Sequence, residues 1–277
     1  MATSSTSVTA AEKVAGGFQF LEGPVWVPTR EELLFSDIPA SRICRFSPSE
    51  NSFNVFREPS GQANGNALDP QGRLVTCEHE NRRTSRTEQD GTVVALATHY
   101  EGKRLNSPND IVCKSDGAVY FSDPPYGVKS ELRELDFQGV FRVSPDGNSL
   151  TLLVSDFIKP NGLAFSPNEK ILYIADTEPG HIRAFDVNSD GTITNSRIFC
   201  EVERPDGFRV DIEGNLYISA MKSVEIFNRA GERIGEITLP ERPANVAFGD
   251  PDRQTLYICA RTSLYRARVN VPGVRMP

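Results

Sequence analysis

Asn161–Asp176 reads NGLAFSPNEKILYIAD: an Asn-Gly pair, an apolar run closed by Ser-Pro, a polar turn, and a second apolar run ending on aspartate. Strand-forming residues bounded by turn residues describe two short antiparallel strands, with Pro167 ending the first. Related phrases recur along the chain: EGPVWVP from Glu22, NGNALDP from Asn64, NDIVCKS from Asn109, DGFRVDI from Asp206 and ANVAFGD from Ala244. Each is followed by a turn and a second hydrophobic strand, ELLFSD, GRLVTC, GAVYFSD, GNLYISA or TLYICA in turn. The intervals between first letters are 42, 45, 52, 45 and 38 residues. That period is too long for leucine-rich or ankyrin units and suits one four-stranded propeller blade. Six such units span Phe20 to Val269, so the expected fold is all-β, a six-bladed β-propeller with four-stranded blades around a central channel. One domain is expected over residues 18–272, with residues 1–17 a mobile N-terminal tail.

The 277 residues carry a net charge of −7, with 21 glycines, 19 prolines and 38% apolar residues. A net negative chain lacks the clustered cations that phosphate binding needs, so neither nucleic acid nor an anionic membrane is expected as a partner. The one basic cluster, Arg82, Arg83 and Arg86 around RTSRT, reads as a solvated edge strand. No apolar run approaches the ~20 residues of a membrane span. The opening MATSSTSVTAAEK lacks the basic and apolar regions of a secretory signal. Five cysteines, odd in number and without a C-x-x-C pair, argue against a disulfide framework and a zinc knuckle, and a reducing cytoplasm fits best. Only ELRELDFQ and TAAEK look weakly helical. The C-terminal LYRARVNV is expected to close the ring by sharing a blade with GGFQFLEG, which would protect exposed strand edges.

Equivalent positions of successive blades point to equivalent places around the axis. The first letters of five phrases therefore bring five oxygen-bearing side chains together: Glu22, Asn64, Asn109, Asn161 and Asp206. Any single Asn-Gly or Asp-Gly pair is also an ordinary turn former. Glu22 before Gly-Pro and Asn109 within Pro-Asn-Asp are not standard turn pairs, and five together favour a site. Two carboxylates and neutral amide oxygens are how a hard divalent cation is held. Without histidine or cysteine at the repeat position, zinc and copper are disfavoured. The expected occupant is one divalent cation, calcium ahead of magnesium, manganese or zinc.

The phrases LEGPVW, NSPNDIV, SDPPYG, KPNGLAFSP, LYIADT and RPDGFRVD, in this order and spacing, resemble the SMP-30/gluconolactonase/LRE family of six-bladed propellers. The resemblance covers residues from about 18 to 272 and implies a metal-dependent hydrolase of lactones, often sugar lactones. It places metal ligands at Glu22, Asn161 and Asp206, with Asn109 as a ligand or a substrate contact. CEHENRR and SDPPYG look closer to the gluconolactonase branch of bacteria and fungi than to the regucalcin branch. Ser107 stands where that second branch has a substrate-contacting arginine.

In such a site a cation polarises the lactone carbonyl and lowers the pKa of water. The amides of Asn64 and Asn109 are expected to orient substrate oxygens. Asp206 is the first candidate for general base. His79, whose ordinary pKa near 6.5 suits proton transfer at neutral pH, is the second. The third repeat is the longest because of the insertion YGVKSELRELDFQG, which reads as a lid over the pocket carrying Tyr126 as a substrate contact. Asp123 reads either as a substrate or second-cation contact or as the cap of the Pro-Pro turn. Two other classes stay open: an esterase or phosphotriesterase using the same cation, and a protein-binding propeller. The expected partner is a small-molecule lactone, and the chain a monomer or dimer.

Overall fold

The computed structural model describes residues 8–275. They form six four-stranded antiparallel sheets and one two-stranded hairpin, His99–Tyr100 with Lys103–Arg104. The architecture is a six-bladed β-propeller. The inner strands are Leu21–Val27, Ala63–Leu68, Ile111–Cys113, Pro160–Phe165, Phe208–Val210 and Asn245–Gly249. In five blades the chain steps outward through four consecutive strands. Gly117 and Gly191 take positive φ (92° and 82°) at their Asp-Gly turns, the conformation that tight hairpins demand.

The sixth blade closes the ring with both ends of the chain. Asn245–Gly249, Thr255–Ala260 and Ser263–Arg268 are joined on the outside by Glu12–Gly16. Lys13 pairs with Tyr265 and Gly16 with Ser263. This corrects two expectations. The segment paired with LYRARV is EKVAG, not GGFQFLEG, whose Leu-Glu-Gly end starts the inner strand of blade 1. The expected mobile tail of residues 1–17 is also corrected in its later part: Val8 bridges Val269 and Glu12–Gly16 is strand, while residues 1–7 lie outside the described residues. Unpaired strand edges are costly, so the ring takes a fourth strand from whichever end can reach it. At the other boundary Gly273 bridges Asp211 and Val274 donates its N–H to Val210 O, so packing continues past residue 272.

Of the two weakly helical stretches, ELRELDFQ supplies part of one 3-10 turn, Ser130–Leu132, and the Glu-Lys of TAAEK is strand. Arg83–Thr87 is not an edge strand: it is the third strand of blade 2, between Leu74–Glu78 and Val93–Ala97. Its arginines are matched by acids, Arg83 to Glu78 at 2.7 Å and Arg86 to Glu88 at 2.6 Å.

The core lies between blades. A tyrosine of one blade's second strand meets an aromatic ring of the next inner strand: Tyr120 with Phe165 (5.0 Å), Tyr217 with Phe248 (5.0 Å) and Tyr257 with Trp26 (5.9 Å). Each such pair adds roughly 0.5–1.5 kcal/mol beyond its burial. Trp26 and Phe208 are both buried in this core. All five cysteines are buried free thiols.

A second repeated device fixes the loops entering the inner strands. Asp37, at the end of blade 1's second strand, accepts the N–H groups of Gln19 and Phe20, both at 3.1 Å. Asp176 accepts those of Ile158 (3.1 Å) and Lys159 (2.6 Å). Asp123 occupies the same place in blade 3 and accepts Asn106 N–H at 2.7 Å. Its carboxylate is wholly buried. Of the two readings of Asp123, a contact to substrate or a second cation and a turn cap, its geometry is nearer the second: it anchors the loop leading to Asn109, as a buried acceptor of backbone donors should.

Candidate active site at the channel mouth

The inner strands enter the channel side by side, and the first letters of the five phrases meet where those strands begin. Asn64 Nδ2 donates to Asn109 Oδ1 at 2.5 Å, and Asn109 Nδ2 donates to Asn161 Oδ1 at 2.7 Å. Asn161 Nδ2 reaches Thr177 Oγ1 at 3.1 Å, and Thr177 passes its own proton to Pro205 O at 2.8 Å. The Asn161 amide also favours the ionised form of Asp206. Asp206 and Glu22 face each other across the position of Ala244, close enough to repel. The geometry therefore gathers Glu22, Asn64, Asn109, Asn161 and Asp206 at one mouth.

His79 joins them. Its Nε2 lies 3.1 Å from Asn64 Nδ2 and 3.3 Å from Asn109 Oδ1. Asn64 Nδ2 is a donor, so a neutral ring that accepts there carries its proton on Nδ1. Burial lowers the His79 pKa to about 4, against the hydrogen bond that a protonated Nε2 would donate to Asn109 Oδ1. The ring is thus neutral at physiological pH but a weaker base than its ordinary value promises.

The insertion in blade 3 folds over this cluster. Tyr126 Oη is 3.5 Å from Asn161 Nδ2, and the ring remains 44% exposed, facing the mouth. Burial of the hydroxyl raises the Tyr126 pKa to about 12. Gly127 lies on His79: an added Cβ would sit 2.6 Å from His79 Cβ. Ser107 holds the loop in place by donating to Pro124 O at 2.7 Å and accepting Gly127 N–H at 2.8 Å. Arg82 braces it from behind, donating to Leu105 O (2.7 Å) and Leu132 O (2.9 Å).

Electrostatically the mouth is overloaded with negative charge. Burial, then repulsion from Asp206 and Asp110, raises the Glu22 pKa well above the carboxylate range, against hydrogen bonds from Asn245 and Gly23. Burial raises Asp206 to about 7, against the Arg242 guanidinium and the Asn161 amide. Arg242 stops 3.6 Å from Asp206 Oδ2. Among the described residues no three acidic, imidazole or thiol groups cluster as in a zinc site. The donor set is two carboxylates with amide oxygens, which suits a hard cation and fits the expected group.

A cavity of about 320 Å³ lies at the other end of the channel and contains none of these residues. Val25, Val112, Ala164 and Ala247 wall it, with Arg209. That apolar chamber offers no paired carboxylates.

The SMP-30/Gluconolactonase/LRE-like region matches residues 20–262. The chain belongs to the SMP-30/gluconolactonase/LRE family. Among its relatives, a gluconolactonase of Zymomonas mobilis is 35% identical, aligned over 96% of this chain and 83% of that protein. A pentonolactonase of Haloferax volcanii is 26% identical, over 86% and 80% respectively. The structure of a gluconolactonase from Xanthomonas campestris superposes with a TM-score of 0.88 at 35% identity, covering 94% of this chain and 89% of the other.

Three polar residues of this family member's channel escaped a reading confined to the first letter of each phrase. Asp110 and Asn245 occupy the next position, where the other four blades carry glycine, and Arg209 lies two residues deeper than that. A polar side chain in place of a repeated glycine was the available signal.

Proposed function

We propose that this protein is a lactonase that opens sugar-type lactones by water attack at the mouth formed by Glu22, Asn109, Asn161 and Asp206. The convergence of these side chains beneath the Tyr126 loop carries the reading, and the gluconolactonase and pentonolactonase relatives support it. Glu22, Asn161 and Asp206 would hold one divalent cation, calcium by the character of the donors, with Asn109 a fourth ligand or a substrate contact. When bound, the cation would supply polarisation of the ester carbonyl and stabilisation of the developing oxyanion.

The remaining work falls to the chain itself. Asn64 and Asn109 present amide groups toward the mouth and orient the carbonyl and ring hydroxyls, raising the fraction of bound substrate in a reactive pose. Asp206 takes the proton of the attacking water. His79 is the lesser candidate for that role, because burial has carried its pKa away from neutrality; it holds Asn64 and Asn109 in register. Tyr126 covers the substrate and keeps bulk water from the far side.

A pH-indicator assay with glucono-δ-lactone and with simple γ-lactones tests the proposal. Turnover should disappear on chelation, return with calcium, and be lost in Asn161→Ala while the variant stays folded. Turnover that survives exhaustive chelation would refute the cation site, and hydrolysis of phosphotriesters without any lactone turnover would refute the substrate class.

A further inference from the structure

A second tier of the channel lies one residue along each inner strand from Glu22, Asn64, Asn109, Asn161, Asp206 and Ala244. Gly23, Gly65, Gly162 and Gly207 fill four of its places, and the buried Asp110 and Asn245 fill the others. At Gly65 and Gly207 backbone φ is not positive, so space decides the residue. A Cβ at Gly207 would lie 2.0 Å from Asn245 Cγ, and one at Gly65 would lie 2.8 Å from Asp110 Oδ1. Gly207 vacates the axis for the Asn245 side chain, whereas Gly65 gives way to the backbone of Asn109 and Asp110 (2.6 and 2.7 Å) as well as to the Asp110 carboxylate.

Asn245 is held in one orientation. Its Oδ1 accepts Val246 N–H at 2.9 Å, which settles which end of the amide carries the protons. Its Nδ2 then donates to Glu22 Oε2 at 3.0 Å. Gly23 N–H donates to the same oxygen at 2.9 Å. Glu22 Oε2 therefore has two donors, while Oε1 receives no hydrogen bond among the described residues. Blade 6 has Ala244 at the repeat position, so no side chain there can brace Glu22 from the side. Asn245 does so from below.

We infer that Asn245 is a positioning residue that clamps Glu22 through Oε2 and leaves Oε1 as the oxygen offered to the cation. The inference rests on the cation site proposed above. Outer groups of this kind set the orientation of a ligand, and losing one typically costs about 10–100-fold in metal affinity.

Calcium titrated calorimetrically into chelator-stripped protein reads the effect without reference to turnover. Asn245→Ala should bind calcium at least about tenfold more weakly while its metal-free melting temperature stays near the parent's. Gly207→Ala should also weaken binding, because its methyl displaces the Asn245 amide. The double variant should bind no worse than Asn245→Ala alone, since the clash has lost its partner. A merely structural effect of either change would instead add. Should Asn245→Ala fail to fold, Gly207→Ala decides, and unchanged affinity there overturns the clamp. Calcium bound by the parent, lost in Glu22→Ala and bound as tightly by Asn245→Ala also overturns the clamp, leaving the cation site intact. A parent that binds neither calcium nor another divalent cation overturns both.

Discussion

Replacing Asp206 by asparagine should stabilise the metal-free protein while removing its activity. The aspartate carboxyl is driven from an ordinary 3.8 up to about 7, with burial the largest cause. A carboxylate whose folded pKa is raised costs stability wherever the unfolded chain is ionised and the folded one resists it. The cost is absent below pH 3.8, grows with pH at up to ~1.4 kcal/mol per unit, and levels off above the folded value near 7. A fully dry carboxyl would give about 4 kcal/mol. The Asp206 side chain keeps 15% exposure at the mouth, however, and roughly 2 kcal/mol is the expected share. Asparagine has nearly the same shape, so little packing is lost in exchange. Urea unfolding in excess chelator at pH 8 should show Asp206→Asn more stable by about 2 kcal/mol, with the gain shrinking toward zero at pH 4. Calcium should then raise the parent's midpoint and leave the variant's unchanged. A variant equally or less stable than the parent at pH 8, or a gain that does not vary with pH, would refute the claim that this carboxylate is held against its own electrostatics.

Three further outcomes follow from the same geometry. Gly127→Val drives a side chain into His79, 2.6 Å from the nearest atom, and should lift the Tyr126 loop, raising KM for lactones several-fold with little change in melting temperature. His79→Ala should lower kcat by less than about tenfold and Asp206→Ala by about 10²-fold or more, and the reverse order would move the general base to His79. Deleting residues 1–17 removes the outer strand of blade 6 and uncovers the edge of Ser263–Arg268, so the melting temperature should fall by several degrees and aggregation on storage should rise.

The blades and the mouth were legible because both are periodic. A residue repeated every 38 to 52 positions names its own neighbours in space, and Glu22, Asn64, Asn109, Asn161 and Asp206 met as their spacing implied. Non-periodic contributions were harder to read. His79 reaches the mouth from the turn after a second strand, and nothing in Cys-Glu-His-Glu says whether a side chain there points inward or out. Asp123 was open to two readings for a related reason. Next to Pro-Pro-Tyr it looked like part of a binding loop, yet Asp37 and Asp176 stand at the same repeat position and do the same anchoring. Comparing repeats at that position would have revealed the role.

The closing strand and the glycine tier show the limit from opposite sides. Glu12–Gly16 carries weak apolar alternation and belongs to no repeat, so its place depends on a long-range need, the unpaired edge of Ser263–Arg268, which only closure of the ring creates. Gly207, by contrast, looks like half of an Asp-Gly turn, although the structure uses it for space beside Asn245. One phrase thus serves two demands: its first residue faces the mouth and its second sets how much room the axis has. Where that second residue is not glycine, the channel has acquired a side chain that the fold does not require. Asp110 and Asn245 are such residues, and the hydrogen bond from Asn245 to Glu22 ties the departure to the cluster where the chemistry is expected.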